Sequence, residues 1–308
     1  MKKIIGLILA GVMLIGLCGC SVSETVENSL KDKDKYTAGN ATITDKVENI
    51  EIDWASGEVA LVTGEGNEII LEETYSGDLP DEKKMQWWLD GTTLRVRYNL
   101  SVIDLSIASQ EKKLKVTIPK DLELKGLKID SASGDIKTEE ISIGSGSFGA
   151  ASGNMDIHIL KANDIALDSA SGDIRAEIKN STSIDADAAS GKIGLKIGTT
   201  GKLDVDSASG DIEVEADEAK EASFDASSGD ITCGFGKCPE KLDVDSSSGS
   251  VTISLPKDAG FTASVDAASG DFNSQIPLQK NGEKYVAGDG SGIIEIDTAS
   301  GNVDLLEK

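Results

Sequence analysis

The chain has 308 residues, 54 acidic against 30 basic side chains for a formal net charge of −24, a single His and only 4% aromatics. Such a polyanion is repelled by phosphate backbones, which excludes nucleic acid as a partner. One His, and two Cys beyond the N-terminal region, leave too few ligands for a zinc site or a Cys/His nucleophile. Lys2 and Lys3 open the chain, and an uncharged apolar run follows from Ile4 to Leu17. That run suits a signal-peptide core, whereas a spanning helix needs about 20 residues. It ends in Leu17-Cys18-Gly19-Cys20, which resembles a bacterial lipobox and implies removal of residues 1–19 and acylation of Cys20. An unlipidated secretory signal and an uncleaved anchor are the alternatives. Each buried CH₂ contributes about 0.8 kcal/mol, so more than one acyl chain gives stable anchoring at the outer face of the cell membrane. Residues 20–40 are polar and mixed in charge, as a tether requires.

Residues 41–126 form an N-terminal β segment. Within it, two alternating runs flank Asp90-Gly91 over 85–98 and predict a hairpin. The hairpin region carries Trp87, Trp88 and Tyr98 with Arg95 and Arg97. It reads either as a cap over exposed strand edges or as a ligand-contacting patch of Trp87, Trp88 and Tyr98.

Residues 127–308 are dominated by a repeat that first occurs at Gly57. Ser-Gly recurs with similar flanks at Gly57, Gly134, Gly153, Gly172, Gly191, Gly210, Gly229, Gly249, Gly270 and Gly301, with a spacing of 19 from Gly134 to Gly229. Counting from the glycine as zero, position −1 is always Ser, −2 is Ala or Ser, and −4 is Asp except at Gly149. Positions −5 and +2 are apolar throughout, and −7, +4 and +6 mostly so. Period-two alternation means strands, and the two apolar sets have opposite parity, so the phase slips once at Ala-Ser-Gly. Two strands and two corners fit in one repeat, which is one turn of a parallel β-solenoid. About ten rungs of ~19–21 residues, stacked ~4.8 Å apart, give an all-β rod about 48 Å long. The crossover rule for parallel strands favours a right-handed coil. Thin aliphatic layers explain the scarcity of aromatics. Residues 273–292 interrupt the repeat and are expected to fold over the C-terminal end; few residues follow Gly301, so that last rung is left without a cap of its own.

The repeated Asp-Ser-Ala-Ser-Gly-Asp-Ile at 130–136 and 206–212 resembles the DUF4097 family of β-strand-repeat proteins. So do the aliphatic strands that end at Pro119 and Pro256. The resemblance covers about residues 42–308 and implies an exported or membrane-attached protein with no catalytic residue to carry over.

Three features could carry chemistry. The −4 aspartates Asp168, Asp187, Asp206, Asp225 and Asp245 form a ladder of like charges, best explained by carboxylates accepting backbone N–H bonds at the corners. Calcium bound along the ladder is the weaker alternative, and no calcium-loop motif accompanies it. Cys233 and Cys238 either close a short disulfide or remain free thiols, since Cys233 falls on an apolar position. His158 is read as an outward-facing strand residue without a role. The expectation is a non-enzymatic, cofactor-free lipoprotein at the cell surface, an adhesin or interaction scaffold for a protein or glycan partner. The alternative is an accessory of an envelope-stress signalling system acting through a membrane partner.

Overall fold

The computed structural model describes residues 32–76, 79–98 and 112–308, so the leader, Cys20 and most of the tether lie outside the described residues. Apart from the three-residue 3₁₀ turns Lys33–Lys35 and Asp81–Lys83, every regular element described is a strand. Residues before each corner glycine form one parallel ladder, in which Asp168 pairs with Asp187, Asp187 with Asp206, Asp206 with Asp225 and Asp225 with Asp245. Residues after the glycine form a second ladder, through Met155, Ile174, Ile193, Ile212, Ile231 and Val251. The register advances by one repeat at each step, as a parallel β-solenoid requires.

The core runs between the two ladders. Leu203 and Val205 at −7 and −5, and Ile212 and Val214 at +2 and +4, are each at most 1% exposed. The same inward set holds along the stack, and its exceptions, the partly exposed Val265 and Phe272 and the exposed Ser274, all belong to one rung, that of Gly270. Position −3 is also inward: Ser131, Ala150, Ser169, Ala188, Ser207, Ala226 and Ser246 are all buried. In these middle rungs the position holds only Ser or Ala, whereas the Gly57 rung places the buried Trp54 there. At the opposite bend, strands Ile193–Ser207 and Ile212–Ala226 continue without a break over the buried Thr200 and Ala219.

Chain order and spatial order part company at both ends. Strand Asn49–Gly64 has strand Leu124–Thr138 on one side. On its other side lie Thr93–Arg97 and Lys112–Pro119, which come between the two in sequence. The C-terminal end repeats the manoeuvre. Strands Lys241–Ser246 and Val251–Leu255 pair with Gly292–Thr298 and Val303–Glu307. The intervening rung, Phe261–Ala267 and Phe272–Ser274, lies outside them. The last rung in sequence has no cap of its own, as expected, and needs none, because it is enclosed on both sides. The Gly270 rung is the outer one, which is why Val265 and Phe272 are less buried. Residues 279–287 do fold over that end, as strands Gln279–Asn281 and Lys284–Ala287, the latter antiparallel to Phe261–Ala267. At the other end antiparallel strands Gln86–Asp90 and Thr37–Ala38 extend one ladder, and Ile69–Thr74 and Ala41–Ile43 the other. Three of the four terminal ladder edges are thus covered by a strand of opposite direction, which removes the template for edge-to-edge association there, while the short outer strand Phe272–Ser274 pairs with Val303–Glu307.

Candidate interaction surface

Each corner is a stack of glycines. Gly210 has a φ of 150°, and a β-carbon there would overlap the carbonyl oxygen of Gly191 one rung away. The backbone stays paired through the corner, with the Gly210 N–H donating to Ser228 O at 3.0 Å and Ala208 N–H to Ala188 O at 3.0 Å. The inward serine at −3 adds a lock: Ser207 Oγ donates to Gly210 O at 3.0 Å and Ser169 Oγ to Gly172 O at 3.0 Å.

The carboxylates that receive corner N–H groups stand at +1, not at −4. Asp135 Oδ1 accepts from Asn154 N–H at 2.9 Å, Asn154 Oδ1 from Asp173 N–H and Asp173 Oδ1 from Lys192 N–H, both at 3.0 Å. Asp211 accepts from Asp230 N–H at 3.0 Å, and Asp230 from Ser250 N–H at 2.8 Å. The +1 column thus stitches rung to rung. Sequence reading overlooked it because position +1 mixes Asp, Asn, Lys and Ser, whereas the signal that unites them is an acceptor one repeat before each N–H.

The −4 column lies on the outer face of the first ladder, beside the −6 residues Asp185, Asp204 and Asp243. Lys202 pairs with Asp204 at 3.0 Å and Lys241 with Asp243 at 3.6 Å. Like charge accumulates along the column itself. Partial desolvation against the sheet pushes Asp187 up to about 7, assisted by Asp185, Asp206 and Asp168. The same desolvation, then Asp204 and Asp225, pushes Asp206 up to about 6. Asp168 is raised by desolvation and by Asp185. The face thus holds its ionised form under strain near neutral pH. Among the described residues no three His, Cys, Asp or Glu side chains come together to share a metal ion.

The hairpin of Gln86–Asp90 and Thr93–Arg97 forms as expected, but its aromatics do not make one patch. Trp87 packs inward against the core opposite Val96. Trp88, opposite Arg95, lies on the outer face, edge-on to Tyr36 at 5.7 Å and beneath Lys35 Nζ at 4.5 Å. Arg97 covers Tyr36 at 3.7 Å. Tyr98 is buried edge-on to Trp54 at 5.1 Å. Consecutive residues of a strand face opposite sides, which separates Trp87 from Trp88.

Cys233 and Cys238 stand as free thiols, the second of the two alternatives. Cys233 points into the core at +4 on strand Ile231–Phe235. Cys238 lies beyond the following turn, its Sγ 3.9 Å from Gly260 O. Burial raises both thiols, Cys238 to about 11, so neither is a ready nucleophile. His158 stands on the outer face of Met155–Lys161 between Asp156 at 3.2 Å and Glu177 at 3.8 Å. Among the described residues no helix is long and apolar enough to cross a membrane.

The sequence profile of the Toastrack DUF4097 family matches residues 47–306. Among solved structures, a candidate adhesin from Parabacteroides distasonis is similar at 12% identity and a TM-score of 0.54, covering 88% of this chain and 97% of its own. A candidate lipid-binding protein from the same species is similar at 16% identity and a TM-score of 0.52, covering 89% and 98%. At such identities the likeness is one of fold. No curated protein matches.

Proposed function

This chain belongs to the DUF4097 (Toastrack) family, and from that premise we propose that it is a lipid-anchored extracytoplasmic rod presenting a non-catalytic binding surface. The observation that carries this reading is the identity of the rungs. The solenoid sets the same residue types at the same outward positions from rung to rung, as in the Asp168, Asp187, Asp206 and Asp225 column. A catalytic site needs dissimilar groups converging on one point; a repeated flat face suits an extended protein or glycan partner that is contacted many times weakly. The strongly acidic column selects a partner that brings cationic or hydrogen-bond-donating groups. The anchor rests on Leu17-Cys18-Gly19-Cys20 and places the rod outside the cytoplasm.

Attachment of cells carrying the wild-type rod is to be compared with that of cells carrying Asp168→Asn, Asp187→Asn, Asp206→Asn and Asp225→Asn together. Loss of attachment at unchanged surface abundance is the expected result. Unchanged attachment, with a membrane protein recovered after crosslinking in intact cells, would overturn it in favour of an accessory role in envelope signalling. The anchor is read separately: Cys20→Ala is expected to abolish fatty-acid labelling, and persistent labelling contradicts the lipobox assignment.

A further inference from the structure

At the N-terminal end, strand Ile69–Thr74 lies antiparallel to Lys112–Pro119, with Thr74 opposite Lys113. Diagonally across this pair, Lys112 Nζ lies 3.0 Å from Glu73 Oε1, and the two side chains are 1% and 4% exposed. The Tyr98 ring seals one side, its centroid 4.1 Å from Nζ. A buried ion pair stabilises little, because desolvating both charges offsets their attraction.

The polar atoms here are unevenly satisfied. Glu73 Oε2 accepts the Met85 N–H at 2.8 Å, and Lys112 Nζ donates to Lys83 O. Glu73 Oε1 is buried with no hydrogen bond of proper geometry despite its nearness to Nζ. An orphaned buried carboxylate oxygen against a fully buried amine calls for an explanation beyond packing.

We infer that Lys112 and Glu73 condense to an intramolecular isopeptide bond that closes the N-terminal end of the rod covalently. Transfer of one ammonium proton to Oε1 leaves a neutral amine and a neutral carboxylic acid. The Nζ lone pair attacks Cδ, a second proton passes from Nζ to Oε1, and the Cδ–Oε1 bond breaks. One water leaves, nothing is oxidised or reduced, and no co-reactant is needed. Burial lowers the affinity of Lys112 for its proton, which favours the nucleophilic form. The product resolves the imbalance on the page. Oε2 becomes the amide carbonyl and keeps the Met85 N–H, the remaining amide N–H keeps Lys83 O, and the orphaned Oε1 is the atom that departs. The bond would staple two strands of the end cap together, beside the residues through which the tether enters the fold. It is independent of what the outer face binds.

Peptide mapping of the full-length protein purified from its membranes tests this directly. The expected result is one branched peptide joining the Glu73 segment to the Lys112 segment, lighter by one water than the sum of the two linear peptides. Lys112→Met is expected to return the Glu73 peptide to its linear form. Recovery from the wild-type protein of linear peptides with unmodified Glu73 and Lys112 as the main species would overturn the inference; that readout does not depend on any variant folding.

Discussion

Between Gly134 and Gly229 the corners recur every 19 residues and each rung lies on its sequence neighbour, whereas at both ends the chain steps over a neighbour before turning back. The two regions share one inside–outside rule and differ in what lies beyond them. A middle rung finds an identical ladder above and below, so a short repeat suffices to specify it. An end rung has one open edge. There the chain spends its irregular segments on antiparallel strands, its Trp and Tyr residues on covering the first rungs, and its few buried charges on Lys112 and Glu73. Regularity belongs to places where every neighbour is the same; composition changes where the neighbour is water.

The largest effect should come from charging the middle core. Ile212→Asp puts a carboxylate with no partner at a 1%-exposed position and should cost more than about 4 kcal/mol in chemical denaturation. Glu213→Lys, one residue on and outward, should be close to neutral. Equal losses at the two sites would break the inside–outside rule itself.

Next, the comparison between ends and middle is sharpened by Ile296→Ala. Ile296 belongs to the last rung in sequence yet is 0% exposed, paired between Val244 and Val265. It should therefore lose about 2–5 kcal/mol, as a middle core residue does, while Phe272→Ala on the true outer rung loses less than a buried Phe ordinarily would. The reverse order in melting experiments would restore simple sequential stacking.

Gly210→Val comes third. Its φ of 150° disfavours a side chain, and that strain alone is worth about 1–3 kcal/mol. Because rungs touch only their neighbours, hydrogen exchange should accelerate over residues 186–235 while the Gly134 and Gly301 rungs stay protected. A uniform loss of protection would mean that middle and ends unfold as one unit.

The smallest effect is electrostatic. The carboxyls of Asp187 and Asp206 are raised in the folded state to about 7 and about 6. The folded protein therefore binds their protons more tightly than the unfolded chain does. Their favourable contribution is complete at pH below the ordinary carboxylate range and is lost as pH rises through 6 to 7. Asp187→Asn should stabilise the fold at pH 8 by under about 1 kcal/mol after solvent screening, seen as a raised melting temperature, and leave it unchanged near pH 4. A pH-independent effect would remove the ladder's repulsion from the account.

The parts of this molecule legible in its sequence are those set by local periodicity. Alternation at −5 and +2 identified the core of nearly every rung, and the parity slip located the corner glycines. The inward Ser and Ala at −3 went unread because small polar residues carry no hydropathy signal. The −4 aspartates drew attention by their constancy, yet the hydrogen bonds are made by the variable +1 column. Nor does a periodicity record which rung lies beside which. Asp297 and Asp266 carry the same motif, and only the length of residues 273–292 hints that the chain doubles back. Tyr98 was grouped with Trp87 and Trp88 by nearness in sequence, while strand alternation and the Trp54 contact send the three to different places.

Cysteine pairs across adjacent rungs test the account's central claim, that the last rung is inserted inside the stack. With Cys233 and Cys238 replaced by Ser, Asp206→Cys/Asp225→Cys reports the undisputed middle register, Asp245→Cys/Asp297→Cys the inserted rung and Asp245→Cys/Asp266→Cys plain sequential order. Mild oxidation should bridge the first two pairs and leave the third reduced; a bridge between positions 245 and 266, with none between 245 and 297, would contradict the insertion.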